Sequence, residues 1–177
     1  GRMALNQDQQ IRLARTSKDP EELMQLTFSA YTDVLVEVAK NEESTPEILK
    51  AITTREILPS TQAVAMNPAC PELLLYHLAQ EGYVKSVANN PMLPLLRDVG
   101  SDNSLLIDKV LASHSLDPDV LLSMATHPNA EVRKSILTSP IPRDIPVEAL
   151  LALAQDPDTN IQATLAARNW NPPEVLL

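Results

Sequence analysis

A proline-anchored phrase returns along this chain, and no other feature restricts its fold as much. An Ala is followed six residues later by Pro and three further on by Leu in LARTSKDPEEL (Ala14, Pro20, Leu23) and VAMNPACPELL (Ala65, Pro71, Leu74). LASHSLDPDVL (Ala112, Pro118, Leu121) and AARNWNPPEVL (Ala167, Pro173, Leu176) repeat it. Three further copies deviate. VAKNEESTPEIL has one extra residue between Ala39 and Pro46, VANNPMLPLLR puts Arg97 in the Leu slot, and ILTSPIPRDIPVEALLALA carries an insertion and Val147 in the proline slot. The anchors fall at 20, 46, 71, 94, 118, 147 and 173, a period of about 25 residues of the kind that builds solenoids.

Elementary backbone chemistry explains the phrase. Asn67 precedes Pro68, whose ring disfavours the α region for its neighbour, so a helix arriving through Val64 and Ala65 must end there. Asn41, Asn90, His114 and Asn169 are expected in the same corner slot. Pro71 is expected in the first turn of the next helix, where its missing N–H is harmless. Asp19, Thr45 and Asp117 read as caps, and Glu21, Glu47, Glu72, Asp119 and Glu174 set negative charge at the positive helix ends. Leu74 with Leu78, and Leu121 with Ala125, then share one face. A shorter helical segment (EVRKSIL, YVKSVAN, NIQATLA, IDKVLAS) precedes each corner, entered by polar turns such as HPNAE (127–131) and DPDTN (156–160). Neither helix of a unit hides its apolar stripe alone, so stability must come from stacking on neighbouring units.

The pattern V-R-x-x-V-A-x-N-P-x-x-P-x-x-L-L-x-x-L-A resembles the leucine-rich repeat variant family, over residues from about 8 to 177. That resemblance implies alternating α and 3₁₀ helices in a right-handed superhelix. The expected fold is therefore all-α: a right-handed α-solenoid of about seven two-helix repeats, one repeat domain over 4–177, with Gly1 and Arg2 ahead of Met3 read as a cloning remnant. Irregular stacking is expected at Gly100, which cuts the fourth repeat short, and at the insertion over 140–146.

Composition agrees. Hydrophobic residues make up 44% but aromatics only 3%, so the core must be Leu, Val, Ile and Ala in closely stacked helices. Three Gly against fifteen Pro suits helix corners better than hairpins. The net charge of −9 repels phosphate backbones and anionic membranes. One cysteine permits no internal disulfide and, with no Cys cluster, no zinc or iron–sulfur site, and GRMALNQDQQ lacks a signal-like apolar run; a cytoplasmic location is expected.

Few residues offer chemistry. Cys70, just ahead of a helix start, could be activated there, but it fills a cap slot and pairs with no base in the sequence. His77, His114 and His127 show no metal-ligand spacing, and His114 and His127 are expected at opposite ends of the helices. DPDTN (Asp156, Asp158, Asn160) opens like an EF-hand loop, yet Ile161 replaces the required Gly and Ala167 the closing Glu. No phosphate loop, nucleophile elbow or dinucleotide fingerprint occurs. No catalytic residue, cofactor or metal is expected.

What remains is surface. Counting five beyond each anchor gives Gln25, Ala51, Tyr76, Val99, Ser123 and Ala152, a row that fits inter-repeat packing better than a groove lining, since every repeat needs contact area. Tyr76, Arg97 and Trp170 are of types enriched at binding hot spots. The expected function is a non-enzymatic scaffold binding a protein or peptide, with Tyr76, Arg97, Trp170, Gln25 and Ser123 as candidate contacts. A regulatory module of a larger assembly is a further reading. The enzymatic alternative resembles the HEAT-like alkylpurine DNA glycosylases, with Trp170 and Asp156 or Asp158 as the pocket; it needs Arg133, Lys134, Arg143 and Arg168 clustered on one concave face. The apolar end PPEVLL is expected either to continue into further repeats or to pair with another copy.

Overall fold

The computed structural model describes residues 4–141, 143–168 and 175, and among these it contains thirteen α-helices and no strand. In order they are α1 (Gln7–Thr16), α2 (Pro20–Leu26), α3 (Thr32–Lys40), α4 (Pro46–Thr54), α5 (Leu58–Met66), α6 (Glu72–Gln80) and α7 (Val84–Ala88). Then follow α8 (Leu93–Asp98), α9 (Asp102–His114), α10 (Pro118–Ala125), α11 (Ala130–Thr138), α12 (Val147–Ala154) and α13 (Thr159–Ala166). The odd-numbered helices touch one another in succession from α1 to α13, and α2 packs on α4 as α10 packs on α12. One hydrophobic core runs from Ala14 to Val175. No helix among the described residues is long and apolar enough to cross a membrane.

The caps set which residues are buried. Asp19, Thr45 and Asp117 accept backbone N–H groups at the starts of α2, α4 and α10. Four and seven residues past the cap lie Leu23 and Leu26, Leu49 and Ile52, Leu121 and Met124, and Leu150 and Leu153, all buried. In α6 Pro71 is itself the N-cap, with ψ 148°, rather than the first helical residue. The register therefore moves by one, and Leu75 with Leu78 fills the core while Leu74 is half-buried. Apart from α7, with 5 residues against 6 in α8, the helices preceding the corners are not shorter than their partners: α1 has 10 residues against 7 in α2, and α9 has 13 against 8 in α10. The described residues hold no 3₁₀ helix; three-back hydrogen bonds occur at helix ends and corners, as where the Asn41 N–H reaches Val38 O.

The corner slot is filled by Ser17, Asn41, Asn67, Asn90, Ser115 and Ser139, each accepting the N–H two residues on. His114 is thus not in the slot. Where serine stands at Ser17 and Ser115, the cap N–H closes on the residue four back, so the helix runs one residue further before turning. Asparagine does more. Its Nδ2 reaches into the preceding corner: Asn41 to Ala14 O and Ser17 O (2.9 Å each), Asn67 to Ala39 O (2.7 Å), and Asn90 to Ala65 O (2.8 Å) and Asn67 O (3.0 Å). These bonds satisfy orphan carbonyls at helix ends and tie consecutive corners together. Asn41 is extended without a following proline, so the side chain, and not the ring, is the common cause of the corner.

Gly100 does end α8 early. It stands at φ +71°, with its N–H on Arg97 O and the Ser101 N–H on Leu96 O, a left-handed cap that glycine adopts without strain. α8 is left with six residues and buries only Leu93, while Val99 is 78% exposed. The long α9 packs against both α6 and α11.

Candidate functional site

The chemistry of the chain gathers under α8. Arg97 fills the leucine slot of the sequence phrase but lies five residues past the Met92 cap of α8, and a second exception meets it: Asp108, on the inward face of α9 among Ile107, Leu111 and Ala112, is fully buried. Arg97 Nε and Nη2 donate to Asp108 Oδ2 and Oδ1, both at 2.7 Å, in a bidentate pair. His127, in the turn between α10 and α11, brings Nε2 to 2.8 Å from Asp108 Oδ2. The Asn129 N–H donates to His127 Nδ1 (3.0 Å), which fixes the proton on Nε2 and makes the imidazole a donor to Asp108. Burial by itself raises the Asp108 pKa, but the hydrogen bonds from His127 and Arg97, and the charge of Arg97, outweigh it and hold the carboxyl below its ordinary range.

A cleft of about 480 Å³ opens beside this triad, walled by Pro94, Leu105 and Pro128 and edged by Asp98 and Asp102. Its imidazole and its serine hydroxyls are already committed. Both imidazole nitrogens are occupied, Ser101 Oγ donates to Glu72 and Ser104 Oγ to the Ser101 carbonyl. No nucleophile there is paired with a free base, as covalent or acid–base catalysis would require. The arrangement clamps a shortened helix to the core.

The next turn repeats the device. Arg133 on α11 donates through Nε and Nη2 to Asp156 (2.7 and 3.1 Å) and through Nη1 to the carbonyls of His127 and Pro128. Asp156 also accepts the Asp158 N–H, and Asp158 caps α13. The aspartates of DPDTN are therefore structural, and no group of three or more His, Cys, Asp or Glu able to hold a metal occurs among the described residues. Cys70 sits before the cap rather than in it, buried, and burial pushes its thiol pKa up to about 12, the opposite of activation. His77 is exposed beside the Tyr76 ring, and His114 Nδ1 lies 3.2 Å from the Val110 carbonyl.

The candidate contact residues separate in space. Gln25 and Ser123 are exposed on α2 and α10, six residues past their caps, with Ala51 and Ala152 at the same position half-buried. Tyr76, because of the Pro71 cap, is five past its own and belongs to a different row: Met24, Lys50, Tyr76, Arg97, Leu122 and Leu151. Arg97 is turned inward onto Asp108. Trp170, like Asn169, Pro173, Glu174, Leu176 and the end that might pair with a second copy, lies outside the described residues. Of the basic residues the glycosylase reading requires together, Arg133 is neutralised by Asp156, and Arg143 and Arg168 line a common cavity.

Asp108 was the functional-looking residue hidden in the sequence. Its signal was an acidic residue at an otherwise apolar helical position, in the unit next to the one where a basic residue replaced leucine. Neither a family model, nor a curated protein, nor a solved structure matches this chain.

Proposed function

We propose that the chain is a non-enzymatic α-solenoid, akin to the leucine-rich repeat variants, that binds an extended protein or peptide segment across its even-numbered helices. The row five residues past each cap carries the reading. With the core positions already filled on either side of them, Met24 and Tyr76 remain half-buried and Leu122 and Leu151 are exposed. Lys50 and Arg97 hold this position in α4 and α8, and the large apolar side chains at the other four are anchors for side chains of an extended partner. Asp19, Glu21, Glu47, Asp119 and Glu148 lie at the N-terminal ends of the same helices, so the complementary partner is apolar and basic.

Selection from a random peptide library tests this directly. The expected result is enrichment of sequences with apolar anchors and net positive charge, whose binding is lost in a Tyr76→Ala, Leu122→Ala double variant that keeps its helical circular dichroism. Selected peptides that bind this folded variant undiminished, or a selection that enriches nothing, would refute the reading. Arg97 is left alone because its removal disturbs Asp108.

A further inference from the structure

The row of side chains five residues past each cap is interrupted at α8. Arg97 holds the position there but turns inward onto Asp108, and it also lines the cleft of about 480 Å³ that reaches from α8 and the start of α9 to the turn before α11. Where α6 and α10 present Tyr76 and Leu122, α8 therefore presents an opening.

The lining of that opening has two parts. Pro94, Leu105 and Pro128 make an apolar wall. The carboxylates of Asp98, Asp102 and Asp108 stand against the single guanidinium of Arg97, since the Asn129 N–H on Nδ1 keeps His127 a neutral imidazole. Arg97 answers Asp108, while Asp98 and Asp102 are exposed and form no ion pair among the described residues. Asp102 suits the first turn of α9, but Asp98 closes α8, where a negative charge opposes the helix dipole and gains nothing locally. The cleft thus keeps an excess of negative charge beside an apolar wall, and the cation that complements it must come from outside.

We propose that this cleft receives an arginine side chain of the bound segment, its methylene stem against Pro94, Leu105 and Pro128 and its guanidinium facing Asp98 and Asp102. The delivery of that side chain rests on the segment-binding reading above. Arginine is favoured over lysine because its guanidinium is the more weakly hydrated cation, which suits an apolar wall, and its forked N–H groups can serve two carboxylates at once. The chain itself already pairs arginine with aspartate at Arg97 with Asp108 and at Arg133 with Asp156.

Titration with N-acetyl-argininamide, followed by amide shifts in a proton–nitrogen correlation spectrum, tests the cleft without a peptide. Saturable shifts are expected at Gly100, Ser101 and Asn129, with a Kd of about 1–10 mM. The neutral isostere N-acetyl-citrullinamide is expected to bind about fivefold more weakly, and N-acetyl-lysinamide about threefold more weakly. Asp98→Asn with Asp102→Asn, a change at two exposed sites, is expected to weaken the arginine probe about fivefold in a protein whose spectrum is otherwise kept. Absence of shifts at the cleft, citrulline or lysine binding equal to arginine, or full binding by the double variant would overturn the proposal. The two readings fail separately. A peptide selection that enriches nothing while the arginine probe still binds the cleft refutes the segment-binding reading, whereas selected peptides that the Asp98→Asn, Asp102→Asn protein binds undiminished refute the arginine site alone.

Discussion

Arg97→Ala is the most informative single change in this molecule. The substitution removes two charge-assisted hydrogen bonds of 2.7 Å from a carboxylate with no solvent exposure and leaves it only the 2.8 Å bond from His127. Breaking a buried ion pair by deleting one partner typically costs about 3–5 kcal/mol, most of it the uncompensated charge. The Arg97 side chain is 28% exposed, so part of its charge is screened by water, and the expected loss falls to about 2–4 kcal/mol. That is a large share of the ~5–15 kcal/mol typical of a domain. Urea unfolding followed by circular dichroism measures it.

The pH dependence has a definite sign. The folded-state pKa of Asp108 is depressed, so its contribution is complete above the unfolded value of about 3.9 and is lost as the pH falls through the folded value. Removing Arg97 takes away one of the lowering causes, and acid unfolding should begin at higher pH in the variant. Arg97→Leu with Asp108→Leu replaces the buried pair by apolar side chains and is expected within about 1 kcal/mol of the original, or above it. A loss under about 0.5 kcal/mol for Arg97→Ala, the size of an ordinary surface change, would refute the claim that this pair clamps α8.

Asn90→Ala should cost about 2–3 kcal/mol in urea unfolding, because three bonds of 2.8–3.0 Å vanish at a site 1% exposed. Asn90→Ser, which keeps the local bond as Ser115 does, should cost less. Cys70 should resist a thiol reagent in the folded protein and react at the rate of unfolding, whereas rapid labelling would contradict its burial. Gly100→Ala should destabilise by about 1 kcal/mol through its φ of +71° alone, since an added Cβ meets nothing within 4 Å, while Glu56→Gly should relieve the same strain at φ 55°.

The helices and the corners between them were legible because their causes are local: prolines at helix starts, acidic caps and an asparagine at three of the six described corners act within a few residues of themselves. What escaped were offsets of a single residue. Whether Pro71 caps α6 or begins it, and whether Ser115 or His114 closes α9, depends on whether the preceding helix ends on a three-back or a four-back hydrogen bond, and similar wording permits both. That one residue moved Tyr76 out of the row shared by Gln25 and Ser123.

The ion pairs escaped for a different reason. Arg97 and Asp108 each broke an apolar pattern visibly, but their meeting depends on how α8 swings once Gly100 has ended it. The same reasoning explains where arginine is used. In the first half of the chain asparagine arms join successive corners; beyond Asn90 the slot passes to Ser115 and Ser139, too short to reach back to two carbonyls. Arg143 supplies the missing reach to Ser115 O from inside the insertion, and Arg133 fastens the opposite turn. An asparagine arm is neutral and self-contained, whereas an arginine brings a charge that must be answered. Asp108 and Asp156 answer two of the three, and the third, Arg143, has no carboxylate paired with it among the described residues.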